Sequence, residues 1–323
     1  HILKPGITWS PDGKQLAVAV KSGKSDAIIF FNLETNKKEV KRFDIKGIFR
    51  PTWHPTKNLI AFIGNNGFAS DIYLYDMDND NLTNYTNDWF TDDQVSWDSK
   101  GENLYFISNR NSYTKINNFH ELNDSIAKTI NLEQLDIYSI NVNTDNMIRH
   151  TNSDYNESYP HYSNNEKILA YISDKNGINN IYLKQDSSNT AVPITNILTG
   201  ITQLSWNIKT DQMIFTGFNN SGYDTFTIYN PKKYLNNSIN LIDTNWLNKT
   251  DTIKNIVNEQ IFDNTITNTS DYSNYDFTQI NSNREKSKGK NNKKDTLDKN
   301  SNQFDIIRSL KILKYKTRFT LDY

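Results

Sequence analysis

Apolar residues recur along the first two thirds of the chain in short alternating runs, separated by clusters of turn-forming residues. Leu59, Ala61 and Ile63 are one such run, and Ile72 and Leu74 are another, with Tyr73 and Tyr75 on the opposite side. Alternation with a period of two predicts half-buried β-strands, whereas an amphipathic helix would place its apolar residues about every three to four positions. Between the runs stand Ser10-Pro11-Asp12-Gly13, Asn65-Asn66-Gly67 and the acidic stretch Asp76 to Asn81. Proline fixes φ at the second turn position, aspartate bonds to its own backbone and glycine takes the left-handed position, so these clusters are hairpin corners.

The strands are organised in repeats. The segments ITWSPDGKQLAVAV, PTWHPTKNLIAFIG, QVSWDSKGENLYFIS, PHYSNNEKILAYIS and QLSWNIKTDQMIFTG align on Trp9, Trp53, Trp97, Tyr162 and Trp206, at steps of 44, 44, 65 and 44 residues. An insertion at about 111–135 accounts for the long step, because the strand DIYSINV, due at once, is displaced to residues 136–142. Four short strands per repeat, with an aromatic residue at a fixed place, predict the blades of a β-propeller, in which each blade buries its faces only against its neighbours. The five aromatic residues are expected to pack between adjacent blades rather than to bind a ligand.

These repeats resemble the TolB-type propeller repeat, related to the WD type, whose usual form is an aromatic residue, Ser-Pro-Asp-Gly, a strand like Ile-Ala-Phe, then Asp-Ile-Tyr and Leu-Thr. The first repeat carries Trp9, Ser10, Pro11, Asp12 and Gly13. The second has Trp53, Pro55, Ile60-Ala61-Phe62, Asp71-Ile72-Tyr73 and Tyr85-Thr86, and the third has Trp97, Gly101 and Asp136-Ile137-Tyr138. In the fourth and fifth, Asn164-Asn165 and Ile208-Lys209 replace the corner residues, so longer or looser hairpins are expected after Tyr162 and Trp206. The resemblance covers roughly residues 1–230. It implies an all-β fold, a β-propeller of four-stranded blades with five readable repeats, part of a six-bladed ring. The missing blade or closing strand is expected before His1 or after Pro231.

The remainder differs in character. Residues 231–305 are rich in Asn, Ser, Thr, Asp and Lys and read as a polar low-complexity connector, partly ordered at most. Their most basic part, Arg284 to Lys299, has no interleaved aromatic residue and reads as a solvated linker. Residues 306–323 recover alternation at Tyr315, Phe319 and Tyr323 and read as the start of a strand-rich region. That stretch resembles the entry to a predicted outer-membrane barrel region in certain large bacterial propeller proteins, with Thr317 in place of the usual proline.

Composition narrows the chemistry. A hydrophobic fraction of 36% in 323 residues suffices for a core, and a net charge of −1 offers no electrostatic footprint for nucleic acid. With 0 cysteines there are no disulfides and no thiolate sites. No run of 18 or more apolar residues occurs, and the opening HILKPGITWS enters a repeat directly, as a segment of a longer product would. There is no Gly-x-Ser-x-Gly elbow, no phosphate loop and no dinucleotide fingerprint, and His120-Glu121-Leu122-Asn123-Asp124 lacks the second histidine of a zinc peptidase helix. No catalytic residue and no cofactor is therefore expected. Asp76, Asp78 and Asp80 are the metal candidates, spaced like the opening of a calcium loop. Asn81 and Asn87 stand where that loop needs Gly and Glu, so an acidic hairpin turn is the reading. His54, His150 and His161 occur singly and read as blade or turn residues.

The resemblance implies a non-catalytic protein–protein interaction scaffold of the bacterial cell envelope, either free in the periplasm or associated with the outer membrane. Its expected partner is an envelope protein, with no nucleic acid and with membrane contact only through regions outside this chain. Loops on a rigid scaffold carry recognition, so the insertion at 111–135 is the expected specificity element. The alternative is the substrate-docking or gating propeller of a larger envelope peptidase whose catalytic domain lies outside this chain.

Overall fold

The computed structural model describes residues 2–114 and 131–247, apart from 24, 68, 220, 237, 238 and 246. All belong to the unit His1–Phe262. Most of the 111–135 insertion, the basic stretch and residues 306–323 lie outside the described residues. Of the expected connector, the described part includes a 3-10 helix at Pro231–Asn236. No helix among the described residues is long and apolar enough to cross a membrane.

Five antiparallel sheets follow one another along the chain, each a simple meander. The first blade is β1 (Ile2–Trp9), β2 (Gln15–Ser22), β3 (Ser25–Asn32) and β4 (Lys38–Arg42). The second is β5 (Gly47–Trp53), β6 (Leu59–Asn65), β7 (Ser70–Asp76) and β8 (Asn81–Asn84). The third is β9 (Asp92–Trp97), β10 (Asn103–Ser108), β11 (Asp136–Asn141) and β12 (Met147–Arg149), the insertion falling between β10 and β11. The fourth is β13 (Glu157–Ser163), β14 (Ile168–Ser173), β15 (Asn180–Gln185) and β16 (Val192–Pro193). The fifth has three strands among the described residues, β17 (Ile201–Asn207), β18 (Gln212–Asn219) and β19 (Gly222–Tyr229). Four blades thus match the expected four strands, and the fifth shows three of them among the described residues.

The corner after each aromatic residue has the same length in every blade. The pairs Trp9–Leu16, Trp53–Ile60, Trp97–Leu104, Tyr162–Leu169 and Trp206–Met213 are equivalent in register, so the fourth and fifth hairpins are neither longer nor looser than the first. Their left-handed residue has moved one place on, from the position of Gly13 and Gly101 to that of Lys167 (φ 52°) and Asp211 (φ 50°). In the fifth, Asn207, which stands at the position of Ser10, accepts the amides of Lys209 and Thr210 at Oδ1 and so holds the corner.

Four of the repeat aromatics seal junctions with the preceding blade. Trp53 meets Phe30 edge-on with centroids 5.7 Å apart, Trp97 meets His54 at 4.8 Å and donates from Nε1 to the Thr52 carbonyl, and Tyr162 stacks on Tyr105 at 4.8 Å. Trp206 packs with Ile168, Ala170 and Ile172 of the fourth blade. Trp9 does not follow the expectation: it is 55% exposed, because no described blade precedes it. The far side of the fifth blade is open in the same way, with Ile214, Phe218 and Phe226 exposed.

A polar pin closes three of the blades and explains the Asp-Ile-Tyr and Leu-Thr elements. The amide of Ile72 donates to Thr86 Oγ1, that of Ile137 to Thr151 Oγ1 and that of Ile181 to Thr195 Oγ1, at 2.8–2.9 Å. Each threonine hydroxyl faces the side chain one residue earlier, on Asp71, Asp136 or Asn180. The amide of the residue before each threonine donates to the carbonyl of Ile72, Ile137 or Ile181. All six side chains are buried, and the mutual bonding meets the polar demand that burial creates.

Candidate functional site: a central channel

The first strand of each blade pairs with its second through a register break. A break of this kind is a β-bulge, which bends the strand and turns a side chain aside. In four of the five it contains a left-handed residue: Gly6 (φ 107°), Arg50 (φ 51°), Gln94 (φ 55°) and Tyr159 (φ 51°). In β17 the break falls between Ile201 and Gln203. Left-handed backbone at three residues with side chains costs roughly 1–3 kcal/mol each, and its clustering around one cavity marks a candidate site. Gly6 has no such latitude, because a Cβ there would lie 2.4 Å from Arg50 Cα.

All five bulged strands line one cavity of about 260 Å³. β1 contributes Gly6, Ile7 and Thr8, β5 Arg50 to Thr52, β9 Gln94 to Ser96, β13 Tyr159 to His161, and β17 Leu204 and Ser205. A second cavity of about 430 Å³ adjoins Arg50 and is lined by Lys46, Phe49, Ile63, Asn65, Ser70 and Asp93 among others. Arg50 therefore borders both.

Hydrogen bonds knit the channel wall across blades. Arg50 Nε pairs with Asp93 Oδ1 at 2.9 Å, its Nη1 donates to the Tyr159 hydroxyl at 3.1 Å, and its guanidinium lies over the Tyr159 ring. Partial burial opposes the charge on Arg50, but Asp93 and Tyr159 together hold its pKa above the ordinary value. The Tyr159 amide donates to Gln94 Oε1, the Ser96 hydroxyl to the Pro160 carbonyl, and the Trp53 amide to Thr8 Oγ1. His161 Nε2 lies 3.0 Å from the Leu204 carbonyl, and burial lowers its pKa. With Ser96 bonded to one carbonyl and His161 to another, these two do not form a nucleophile and base pair. The arrangement presents fixed donors and an aromatic face to whatever enters, which is the equipment of a binding site.

Of the residues singled out from the sequence, His161 lines the channel and the others lie elsewhere. Asp76, Asp78 and Asp80 share the β7–β8 turn but turn to different partners. Asp76 accepts the amides of Asp78 and Asn79, Asp78 accepts Asn58 Nδ2, and Asp80 contacts Lys41 and Tyr75. Among the motif residues, Ser10 and Asp12 bond to each other at the first corner, and the Gln15 amide donates to Ser10 Oγ. Pro55 and Gly13 lie in turns, as does Gly101, whose carbonyl meets His54 Nε2. Two amides donate to His54 Nδ1, which fixes a neutral tautomer with the proton on Nε2. His150 is half-buried beside Ser139, and desolvation lowers its pKa to about 4. Arg50, Gln94 and Tyr159 were missed, although a signal exists: each stands three residues before its repeat aromatic, as do Gly6 and Gln203.

One further polar cluster is buried at the junction of the second and third blades. Fully buried Arg110 pairs with Asp88 at 2.8 Å and with Asp92 at 2.6 Å, and Asp71 lies beside them. Burial pushes the Asp88 carboxyl up to about 7, against the pull of Arg110. The cluster joins the Asp71–Thr86 pin to the start of the third blade, a positioning role.

No family model and no curated protein matches this sequence. Solved structures do match. TolB from Acinetobacter baumannii superposes with a TM-score of 0.54 at 16% identity over 70% of this chain and 51% of that one. A TolB from Agrobacterium tumefaciens superposes with a TM-score of 0.51 at 16% identity, over 70% of this chain and 77% of that one. A prolyl endopeptidase gives 0.44 at 10% identity, over 70% of this chain and 33% of that one. The chain thus spans about half the length of the Acinetobacter protein. Its five successive blades have the β-propeller fold of TolB-type proteins.

Proposed function

We propose that the chain is a non-catalytic protein–protein interaction scaffold of the bacterial cell envelope, acting in the periplasm, which grips a partner at the mouth of its central channel. The observation that carries this reading is the convergence of Arg50, Gln94 and Tyr159, each held in a left-handed bulge by contacts from neighbouring blades. Rigid, pre-positioned donors and aromatic faces favour binding, because little side-chain freedom remains to be lost on association. The insertion supplies the second contact. Its ends are tied together on the blade, Asn109 Nδ2 donating to the Leu132 carbonyl and Asn111 Nδ2 to that of Asn131, so its removal leaves the β10–β11 pairing in place.

Affinity capture from envelope extract tests this with three forms of the chain: intact, Arg50→Ala/Tyr159→Ala, and a deletion of residues 115–130. The intact chain is expected to retain a specific envelope protein, and both altered forms, still folded by circular dichroism, to retain at least about tenfold less, the equivalent of about 1.4 kcal/mol. Equal capture by all three would sink the proposal.

A further inference from the structure

Three carboxylates of the second and third blades meet in the interior, away from the channel. Asp71 stands in β7, Asp88 in the connection after β8 and Asp92 at the start of β9, and one oxygen from each lies within 4.8 Å of the others. The side chains of Asp88 and Asp92 are fully buried, and Asp71 is 8% exposed. Among the described residues the only ion pairs to these three acids come from Arg110, which reaches Asp88 and Asp92. With all three ionised, one guanidinium leaves two negative charges uncompensated inside the fold, a state that burial makes costly. A second observation points the same way. Asp92 Oδ2 is buried and has no hydrogen-bond partner among the described residues, although Oδ1 of the same carboxylate accepts Arg110 Nη2. Buried polar atoms are ordinarily bonded, and one that is not calls for a ligand. The other two acids keep capacity to spare. Asp71 accepts Asn84 Nδ2 and the Asp88 amide and faces the Thr86 hydroxyl, and Asp88 accepts the Phe90 amide and Arg110, where a carboxylate has about four lone-pair sites.

We propose that Asp71, Asp88 and Asp92 bind a calcium ion that locks the second blade to the third. The donors are all carboxylate oxygens, with no histidine or thiolate among them, which selects a hard cation. Oxygens on opposite sides of an ion at Ca–O distances of about 2.4 Å are about 4.8 Å apart, so the three acids fit around one such centre. Magnesium would draw its ligands in to about 2.1 Å and usually keeps several waters, which suits a buried site less well. The double charge of the ion cancels the two that Arg110 leaves over. Arg110 itself, seated against the rings of Phe90 and Phe106, steadies two of the ligands from behind, as the outer partners of metal ligands do. None of the three acids lines the channel, so this inference and the proposed function stand or fall separately.

Thermal unfolding of the whole chain, stripped with EDTA and then given calcium chloride at about 10 mM, tests the site. That concentration is about tenfold or more above the dissociation constants of weak extracellular calcium modules. Tm is therefore expected to rise by about 3 °C or more above its value in sodium chloride of the same ionic strength. Asp92→Asn is expected to lose that rise, and Asp78→Asn, on the acidic β7–β8 turn, to keep it. Equilibrium dialysis against radioactive calcium reads the same site directly: Asp78→Asn is expected to retain one ion per chain and Asp71→Asn about tenfold less, which decides the matter should Asp92→Asn fail to fold. Three results would each overturn the assignment: a rise no larger than in sodium chloride, an equal rise in Asp92→Asn, or loss of the rise in Asp78→Asn. The first, joined to a stability that follows pH alone, would put a proton rather than a metal ion among the carboxylates.

Discussion

Glu157 shows at the scale of one residue how the fold changes ordinary chemistry. It is buried at the start of β13, where Thr151 Oγ1 donates to one carboxylate oxygen at 3.1 Å and Ser153 Oγ to the other. Burial pushes its pKa from 4.5 up to about 7, further than the two hydroxyls pull it down. The folded state therefore binds this proton more tightly than the unfolded chain does. The resulting stability is complete below about pH 4.5 and is lost as the pH rises through about 7. Glu157→Gln, neutral at every pH, is expected to be more stable than the parent by on the order of 2–3 kcal/mol at pH 8 and level with it at pH 4. Denaturant titrations of both proteins at the two pH values check this, and an advantage that did not grow with pH would contradict it. Nothing in the sequence announces the shift, since Glu157 stands in an unremarkable polar stretch and is enclosed only when the third and fourth blades meet.

At the scale of the strand and the blade, the repeat aromatic is one sequence signal with two structural outcomes. Trp97 is 8% exposed and bonded through Nε1, and Trp9 is 55% exposed, although both precede the same hairpin corner. Trp97→Ala is expected to cost about 3–5 kcal/mol, the range for emptying a large aromatic site in a core. Trp9→Ala is expected to stay within about 0.5 kcal/mol, as for exposed positions generally. Urea melts of the two variants decide the matter, and comparable losses would show that Trp9 is covered. Strands, corners and repeat spacing were legible because period-two alternation and turn chemistry are local. The hairpins after Tyr162 and Trp206 were misjudged for a related reason. A left-handed Lys167 or Asp211 serves as well as glycine once the flanking strands pin the corner, and that support is tertiary.

Across the whole molecule, stability passes from neighbour to neighbour, as in any array whose blades bury their faces on each other. The second, third and fourth blades are covered on both sides, while among the described residues the fifth has no blade beyond it and three strands within it. Native-state hydrogen exchange is expected to open β18 and β19 well before β6 and β10, because local opening starts where buried apolar contact is least. Uniform protection across the five blades would refute the gradient.

The sequence by itself determined the all-β class, the blades, their order and the place of the insertion, since these follow from alternation, turn residues and the repeat period within about 44 residues of chain. It also contained the pin, though not its meaning: Asp71 and Thr86 become partners only when β7 and β8 pair. The channel was decided by tertiary structure alone. Arg50, Asp93, Gln94 and Tyr159 come from three different blades, and they meet because five bulged strands are brought around one axis. No local pattern encodes that meeting, because a side chain's neighbours across a ring are fixed by the closure of distant segments and not by the residues beside it.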